Sequence, residues 1–434
     1  MRAVSGFYLA TAVIVSALLP GCSPSSQSMD TIAEQYVRLT LAVGQHDADY
    51  VDAYYGPPEW KPGAQKGSLT DLVPTISRLQ EDLGRIASPS DGMERLRHQY
   101  LSRQLASMAA RVRMLQGERL SFDDEAKALY DVDVPTLPES HFQATLDELD
   151  QRFPGEGPLV DRYEAYRLGF VIPKDRLDSV FTTAISACRE RTAARLSLPA
   201  GESFTVEYVT GKSWSGYNWY QGGFKSLIQV NTDLPIYIDR AVDLACHEGY
   251  PGHHVYNALL EKHLVKDRGW MEFTVYPLFS SQSLIAEGTA NFGIDVAFPG
   301  EQRLRYEKQV LFPAAGLDPA QARGYYDVQA LVEKLAYAGN EAARRYLDGR
   351  IDAAAAAAWL EKYALMPRAR AEQRVRFFDQ YRSYVINYNL GKDMVRDYIE
   401  QRASRSTGAE EAARVRWEEF GKLLSSPRLP SGLE

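Results

Sequence analysis

Residues 239–264 read DRAVDLACHEGYPGHHVYNALLEKHL and hold four of the chain's seven histidines, His247, His253, His254 and His263. At the centre stand His247-Glu248 and Pro251-Gly252-His253-His254, a stretched relative of the His-Glu-x-x-His helix, in which two imidazoles hold zinc and the glutamate handles water. On an unbroken helix the second histidine lies four residues on, about 40° round and ~6 Å up, so both rings reach one ion. Position 251 is instead a proline. It has no N–H to return to the carbonyl of residue 247, and Gly252 adds freedom, so the helix is expected to kink or open there. If the Pro-Gly pair bulges out as a two-residue insertion, His253 becomes the second ligand. His254 competes, because position i+7 returns to within ~20° of His247, although ~10 Å further along the axis. We favour His253, keep His254 as the alternative, and take His263 as a surface or packing residue.

A hydrolytic zinc centre needs a third protein ligand and an open position for water. The candidate is Glu287, within Leu284-Ile285-Ala286-Glu287-Gly288-Thr289-Ala290-Asn291-Phe292. A carboxylate on so apolar a helix would carry a desolvation penalty that metal coordination removes. Asn291, one turn on, and Asp243, one turn before His247, are candidate partners that orient the ligands. Cys246 precedes His247, but helix neighbours point about 100° apart, so it reads as a buried small hydrophobe. Export would permit a disulfide to Cys188; sequence does not establish one.

Just upstream, Phe204 to Val209 alternates with period two, and Ser226 to Thr232 reads as a second strand. Gly211 to Gly223, with Trp214, Tyr217, Trp219 and Tyr220, reads as a glycine-rich aromatic loop. A small β element before the His-rich helix would suit an exposed strand edge that aligns an extended chain, or a plain structural hairpin. The remainder is helical in pattern. Helices are expected from 31 onward and at about 70–88, 92–116, 123–131, 140–152, 158–168 and 174–197. Further helices are expected at 280–296, 320–347, 352–362, 367–389, 391–402 and 408–424. Asp47 to Trp60, with Tyr54-Tyr55-Gly56-Pro57-Pro58, is expected to be a turn-rich loop. The fold class is thus mainly α with one small β element.

With 434 residues, 45% hydrophobic and 24% charged, the composition is that of a folded chain. The net charge of −8 argues against a nucleic-acid partner, which would want a basic face. Arg2, the apolar run Phe7 to Leu19 and Leu19-Pro20-Gly21-Cys22 form a targeting segment, too short for a spanning helix of ~20 residues. Leu-x-Gly-Cys resembles the lipobox of bacterial lipoproteins, which implies cleavage before Cys22 and acylation of that residue. Acyl chains anchor by burying methylenes at ~0.8 kcal/mol each. The expected organisation is a signal peptide (1–21), a lipidated cysteine with a flexible linker (22–30), a helical region (31–200) and a catalytic region (201–434). Ser23 favours the outer membrane of a two-membrane cell, on the periplasmic side.

His247-Glu248, Pro251-Gly252 and His253-His254 together resemble the signature of the bacterial domain of unknown function 885 family, many of whose members are assigned to the lipoproteins. That group is related to the gluzincin metallopeptidases, whose pattern is His-Glu-x-x-His plus a downstream glutamate. Ala286-Glu287-Gly288-Thr289-Ala290 is similar to the block that bears the third ligand there. Asn387-Tyr388-Asn389-Leu390-Gly391-Lys392 resembles the family's Ser-Tyr-Lys-Ile-Gly segment. Departures are Thr289, where tryptophan is commoner, and Asn389 in place of lysine. The resemblance implies a large gluzincin-like multi-helix architecture and a Zn2+ cofactor on His247, His253 and Glu287. It implies Glu248 as general base, and an oxyanion donor at Tyr388, with Tyr384 one turn earlier as substitute. The substrate would be a peptide, with nothing to separate endo- from exo-action. The other class of function is a lipoprotein that binds peptides or cell-wall fragments around a structural metal. Glu248 favours the enzyme, since a structural site has no use for a base that is not a ligand.

Overall fold

Polar side chains start the helices where the apolar spacing begins. Ser28, Asp91, Ser121 and Asp352 each accept a backbone N–H of the following first turn, satisfying donors that have no partner inside the helix. The computed structural model describes residues 27–63 and 65–433; the signal segment, Cys22 and most of the Ser/Pro linker lie outside them. The first half contains α1 (Met29–Gly44), α2 (Leu69–Arg85), α3 (Gly92–Leu115), α4 (Phe122–Tyr130), α5 (Glu139–Arg152), α6 (Leu159–Arg167) and α7 (Leu177–Ala193). After a small sheet come α8 (Asp239–Leu244), α9 (His253–Leu260) and α10 (Ser281–Ala297). The remainder holds α11 (Glu301–Tyr306), α12 (Phe312–Ala315), α13 (Ala322–Glu333), α14 (Ala338–Leu347), α15 (Ala353–Tyr363), α16 (Arg368–Tyr381), α17 (Ile386–Ala403) and α18 (Ala409–Leu424). The chain is mainly helical, as expected. No helix among the described residues is long and apolar enough to cross a membrane.

One buried cluster runs from Ile32 to Leu433 and joins the 31–200 region to the rest. Polar contacts sew the halves together. Arg97 on α3 is paired with the buried Glu272 (Nε–Oε1 2.6 Å), and Tyr100 donates to Gln282 on α10 (2.6 Å). Strand β1 (Val51–Tyr54) pairs antiparallel with β5 (Val275–Pro277), so the segment expected to be a turn-rich loop contributes a strand. The other sheet has the order β2-β4-β3, from β2 (Ser203–Val209), β3 (Gly216–Gly222) and β4 (Lys225–Asn231). Strand β4 is parallel to β2 and antiparallel to β3. The expected strands are β2 and β4. The central part of the expected glycine-rich loop is β3, whose glycines and alternating aromatics obscure its pattern.

Two helix boundaries also differ from expectation. The 320–347 segment breaks at a turn, Lys334 to Tyr337, between α13 and α14. The boundary expected near Leu390 falls instead at Arg382, which has a φ of +53°. Its cause is tertiary. The buried carboxylate of Glu125 on α4 accepts from Arg382 Nε (2.6 Å), from Ser383 N (3.2 Å) and from Ser383 Oγ (2.7 Å). It thereby fixes the reversal with charge-assisted bonds.

Gly391 therefore lies inside α17, where it meets α10. A Cβ on Gly391 would sit 2.8 Å from the Leu284 carbonyl oxygen, and one on Gly288 would run into the carbonyl of Gly391. The two helices cross backbone to backbone. Nearly all of α10 is buried around its circumference, as expected of a helix at the centre of a large domain. Gly288→Ala must push α17 away, and overpacking of this kind costs about 1–3 kcal/mol. Urea denaturation should show a lowered midpoint at unchanged slope; an unchanged midpoint would refute the crossing.

Candidate metal centre

The backbone at the His-rich segment opens as the proline requires. Helix α8 widens into a π-turn over Ala245–Gly249, in which the Tyr250 N–H reaches the carbonyl of Ala245 (3.1 Å). π-turns of this kind recur at functional sites. Pro251 offers no N–H; the next donor, Gly252 N, bonds to the Cys246 carbonyl (2.9 Å), and α9 starts afresh at His253. A Cβ on Gly252 would collide with the carbonyls of Cys246 and His247, so only glycine fits this turn. The Pro-Gly pair is thus a buried insertion after which the chain returns to the same face.

His247 and His253 consequently face each other, with Nε2 atoms 3.1 Å apart. Glu287 on α10 reaches both, Oε2 lying 3.3 Å from His247 Nε2 and Oε1 3.7 Å from His253 Nε2. Donor atoms of the three residues all lie within 4.8 Å of one another. Four-coordinate zinc with bonds of ~2.0–2.1 Å separates its ligands by roughly 3.3–3.4 Å, so the donor set fits such an ion. Glu287 Oε2 is buried without a hydrogen-bond partner among the described residues, a costly arrangement unless a cation completes it. Burial works against the ionised form of Glu287, yet His253 and His247 together hold its carboxyl far below the usual range. Burial likewise opposes charge on His253, but Glu287 overrides it and raises the imidazole to about 9.

Asn291 fixes how His247 presents itself. Its Nδ2 donates to the carbonyls of Glu287 and Tyr388 (both 3.1 Å), so its Oδ1 is left to face His247 Nδ1 (3.2 Å). With an acceptor there, the ring proton of neutral His247 sits on Nδ1, and the Nε2 lone pair points at the other donors. Asp243, the other expected orienting residue, reaches no imidazole. It is bound by Arg303 (2.7 Å) and Arg240 (3.2 Å).

His254 points away from this cluster. Fully buried, it contacts Ser226 Oγ through Nδ1 (2.9 Å) and Glu202 Oε2 through Nε2 (3.0 Å). Tyr250 also donates to Glu202 (2.5 Å), as does Arg189 (2.7 Å). It serves as a polar tie between α9 and the sheet. His263 is exposed beside Asp267 (3.5 Å). Cys188 and Cys246 are buried free thiols.

The Glu248 carboxylate lies against β3, where a Cβ on Gly216 would sit 2.8 Å from its Oε1. Burial pushes its carboxyl up, against the pull of His247 and His253, and no described residue hydrogen-bonds it. Tyr384, in the turn before α17, donates to Glu287 Oε1 (2.7 Å). Tyr388 has no hydroxyl partner among the described residues, and with Glu248 and the three donors it lines a cavity of about 1230 Å³. Residues 213–218, leading into and along the edge strand β3, form part of its wall. Asp52 on β1 also lines the cavity. Burial raises its carboxyl to about 6, although Tyr217 donates to it. Nothing in the sequence distinguished Asp52, because its place depends on the β1–β5 pairing.

No family model matches the chain, nor does any curated protein. The resemblance to the domain of unknown function 885 family therefore rests on the motif residues alone. Among solved structures, a candidate lipoprotein from Colwellia psychrerythraea is similar at TM-score 0.49 and 15% identity, covering 86% of this chain and 69% of that one. A candidate lipoprotein of unknown function from Shewanella oneidensis is similar at TM-score 0.41 and 12% identity, with 82% and 71% covered.

The His254 tie has a pH signature. Burial would raise Glu202, but its bonds from His254, Tyr250 and Arg189 hold it down at about 2. A folded value below the unfolded ~4.3 stabilises fully above the unfolded value and is lost as pH falls towards the folded one. The urea midpoint should fall between pH 5 and 2, with a shallower fall in Glu202→Gln; identical slopes would exclude the tie.

Proposed function

We propose that the protein is a zinc-dependent hydrolase of peptide bonds. What carries this reading is the convergence of two imidazole nitrogens and a buried, under-bonded carboxylate beside Glu248, a second buried carboxylate that is not part of the donor set, on the wall of a large cavity. His247, His253 and Glu287 would hold the ion. When bound, zinc supplies a Lewis acid that polarises a carbonyl and brings the pKa of water towards ~7. Glu248 takes a proton from the attacking water and delivers it to the leaving nitrogen as the C–N bond breaks. Tyr388 donates its hydroxyl to the oxygen that gains charge. Tyr384 already spends its hydroxyl on Glu287, which makes it an orienting residue and leaves the oxyanion role to Tyr388. Edge strand β3 offers main-chain groups to an extended substrate. Acylation at Cys22 would tether this activity to the cell envelope, outside the cytoplasmic membrane.

Metal analysis of the lipid-free protein should find one zinc per chain, and a peptide-library digest should show cleavage. Glu248→Gln should keep the zinc and lose about 10²–10⁴ in kcat. Zinc without cleavage by the wild type would favour a peptide- or wall-binding lipoprotein with a structural ion; no metal would remove the ligand assignment. Tyr388→Phe should lower kcat by about 10²–10³ with zinc content unchanged, whereas unaltered turnover removes its role.

A further inference from the structure

Five arginines line the cavity: Arg240, Arg303, Arg370, Arg374 and Arg396. Three are held by carboxylates. Arg240 and Arg303 share Asp243, and Arg396 is paired with Asp393 (2.6 Å) and Asp397 (2.9 Å). Arg370 and Arg374, one turn apart on α16, have no ion pair among the described residues. The Nε of Arg374 is buried without a hydrogen-bond partner. Its guanidinium is positioned by aromatic rings instead, 4.5 Å from the Phe377 centroid and 5.6 Å from that of Tyr388. Such contacts orient the fork but do not use its in-plane donors. Contacts also connect it to the metal centre, because the Tyr388 carbonyl accepts from Asn291, which faces His247.

A guanidinium nitrogen buried without a partner is costly, and a planar fork of donors matches a carboxylate bidentately. Burial lowers Arg374. Burial with the nearby charges of Arg240 and Arg167 brings Arg370 down to about 10, against the pull of Tyr237 and Glu164.

We propose that Arg374, assisted by Arg370, binds the free C-terminal carboxylate of a peptide whose scissile carbonyl lies at the His247–His253–Glu287 centre. The inference rests on the peptidase reading and deepens it: the enzyme removes residues from the C-terminal end. Water's oxygen forms the new C–O bond, the C–N bond breaks, and the released fragment carries both the carboxylate on Arg374 and the amine protonated through Glu248.

The test uses the full lipid-free chain with zinc and N-acetylated pentapeptides of Ala and Leu, as free acids, as C-terminal amides, and as amides with a penultimate Asp. The free acid should be cleaved with kcat/KM about ten- to a hundredfold above the plain amide, the span of a charged hydrogen bond. Arg374→Gln should abolish that preference through KM, and Arg374→Lys should restore part of it. Equal cleavage of acid and amide by the wild type overturns the inference while leaving the peptidase reading intact. An Asp-containing amide as good as the free acid overturns the terminal assignment. If the wild type cleaves nothing, the peptidase reading fails, and calorimetry with the same peptides decides the subsite. Binding of the acid that exceeds the amide and is lost in Arg374→Gln supports it, and equal or absent binding overturns it.

Discussion

The centre depends on where side chains are missing. Gly288 and Gly391 let α10 and α17 touch through their backbones, which brings Tyr384 within reach of Glu287 and the Tyr388 carbonyl within reach of Asn291. Gly252 does the same service in the His-rich turn, where a Cβ would strike two carbonyls. Gly216 leaves the space into which the Glu248 carboxylate fits. Close packing leaves little room to give, so each absent methyl becomes a distance in the site. A shift of an ångström between α10 and α17 would pull Glu287 away from Tyr384 and Asn291 away from the Tyr388 carbonyl.

Charge is handled differently in the scaffold and in the cavity. In the scaffold, buried ions come with partners: Arg97 with Glu272, Arg382 with Glu125, and Glu202 with Arg189 and His254. These pairs repay desolvation with directed hydrogen bonds and fix the relation between distant helices. In the cavity wall some charged groups lack such partners. Glu287 Oε2 and Arg374 Nε are buried and unbonded among the described residues, and Glu248 is displaced upward by burial. Groups left under-satisfied together in one place are what binding and proton transfer require. An anion, a cation and a water would each find a waiting complement.

Much of the fold was legible from periodicity and caps. Helices α2 to α7, α10, α15 and α18 fall within a few residues of the expected spans, and α2, α3, α4 and α15 carry side-chain caps at their starts. The misplaced elements depend on partners far along the chain. Strand β1 exists because β5 lies beside it, β3 because β4 does, and the end of α16 is set by Glu125, more than two hundred residues away. No local pattern carries such information.

The sequence by itself determined that a helix must open at Pro251, since a missing N–H is a local fact. It also singled out His247, Glu248 and Glu287 as candidates for metal and proton chemistry. Tertiary structure decided which histidine faces the cavity. The Gly252 turn rotates His253 towards His247 and Glu287, while Glu202 and Ser226 capture His254. It also decided that Asp243 belongs to Arg303, that Tyr384 serves Glu287, and that, among the described residues, the Tyr388 hydroxyl has no partner and Arg374 faces the cavity without an ion pair. The physical reason is common to all of these: a side chain's role is set by what lies across the cavity from it, and that is supplied by other helices.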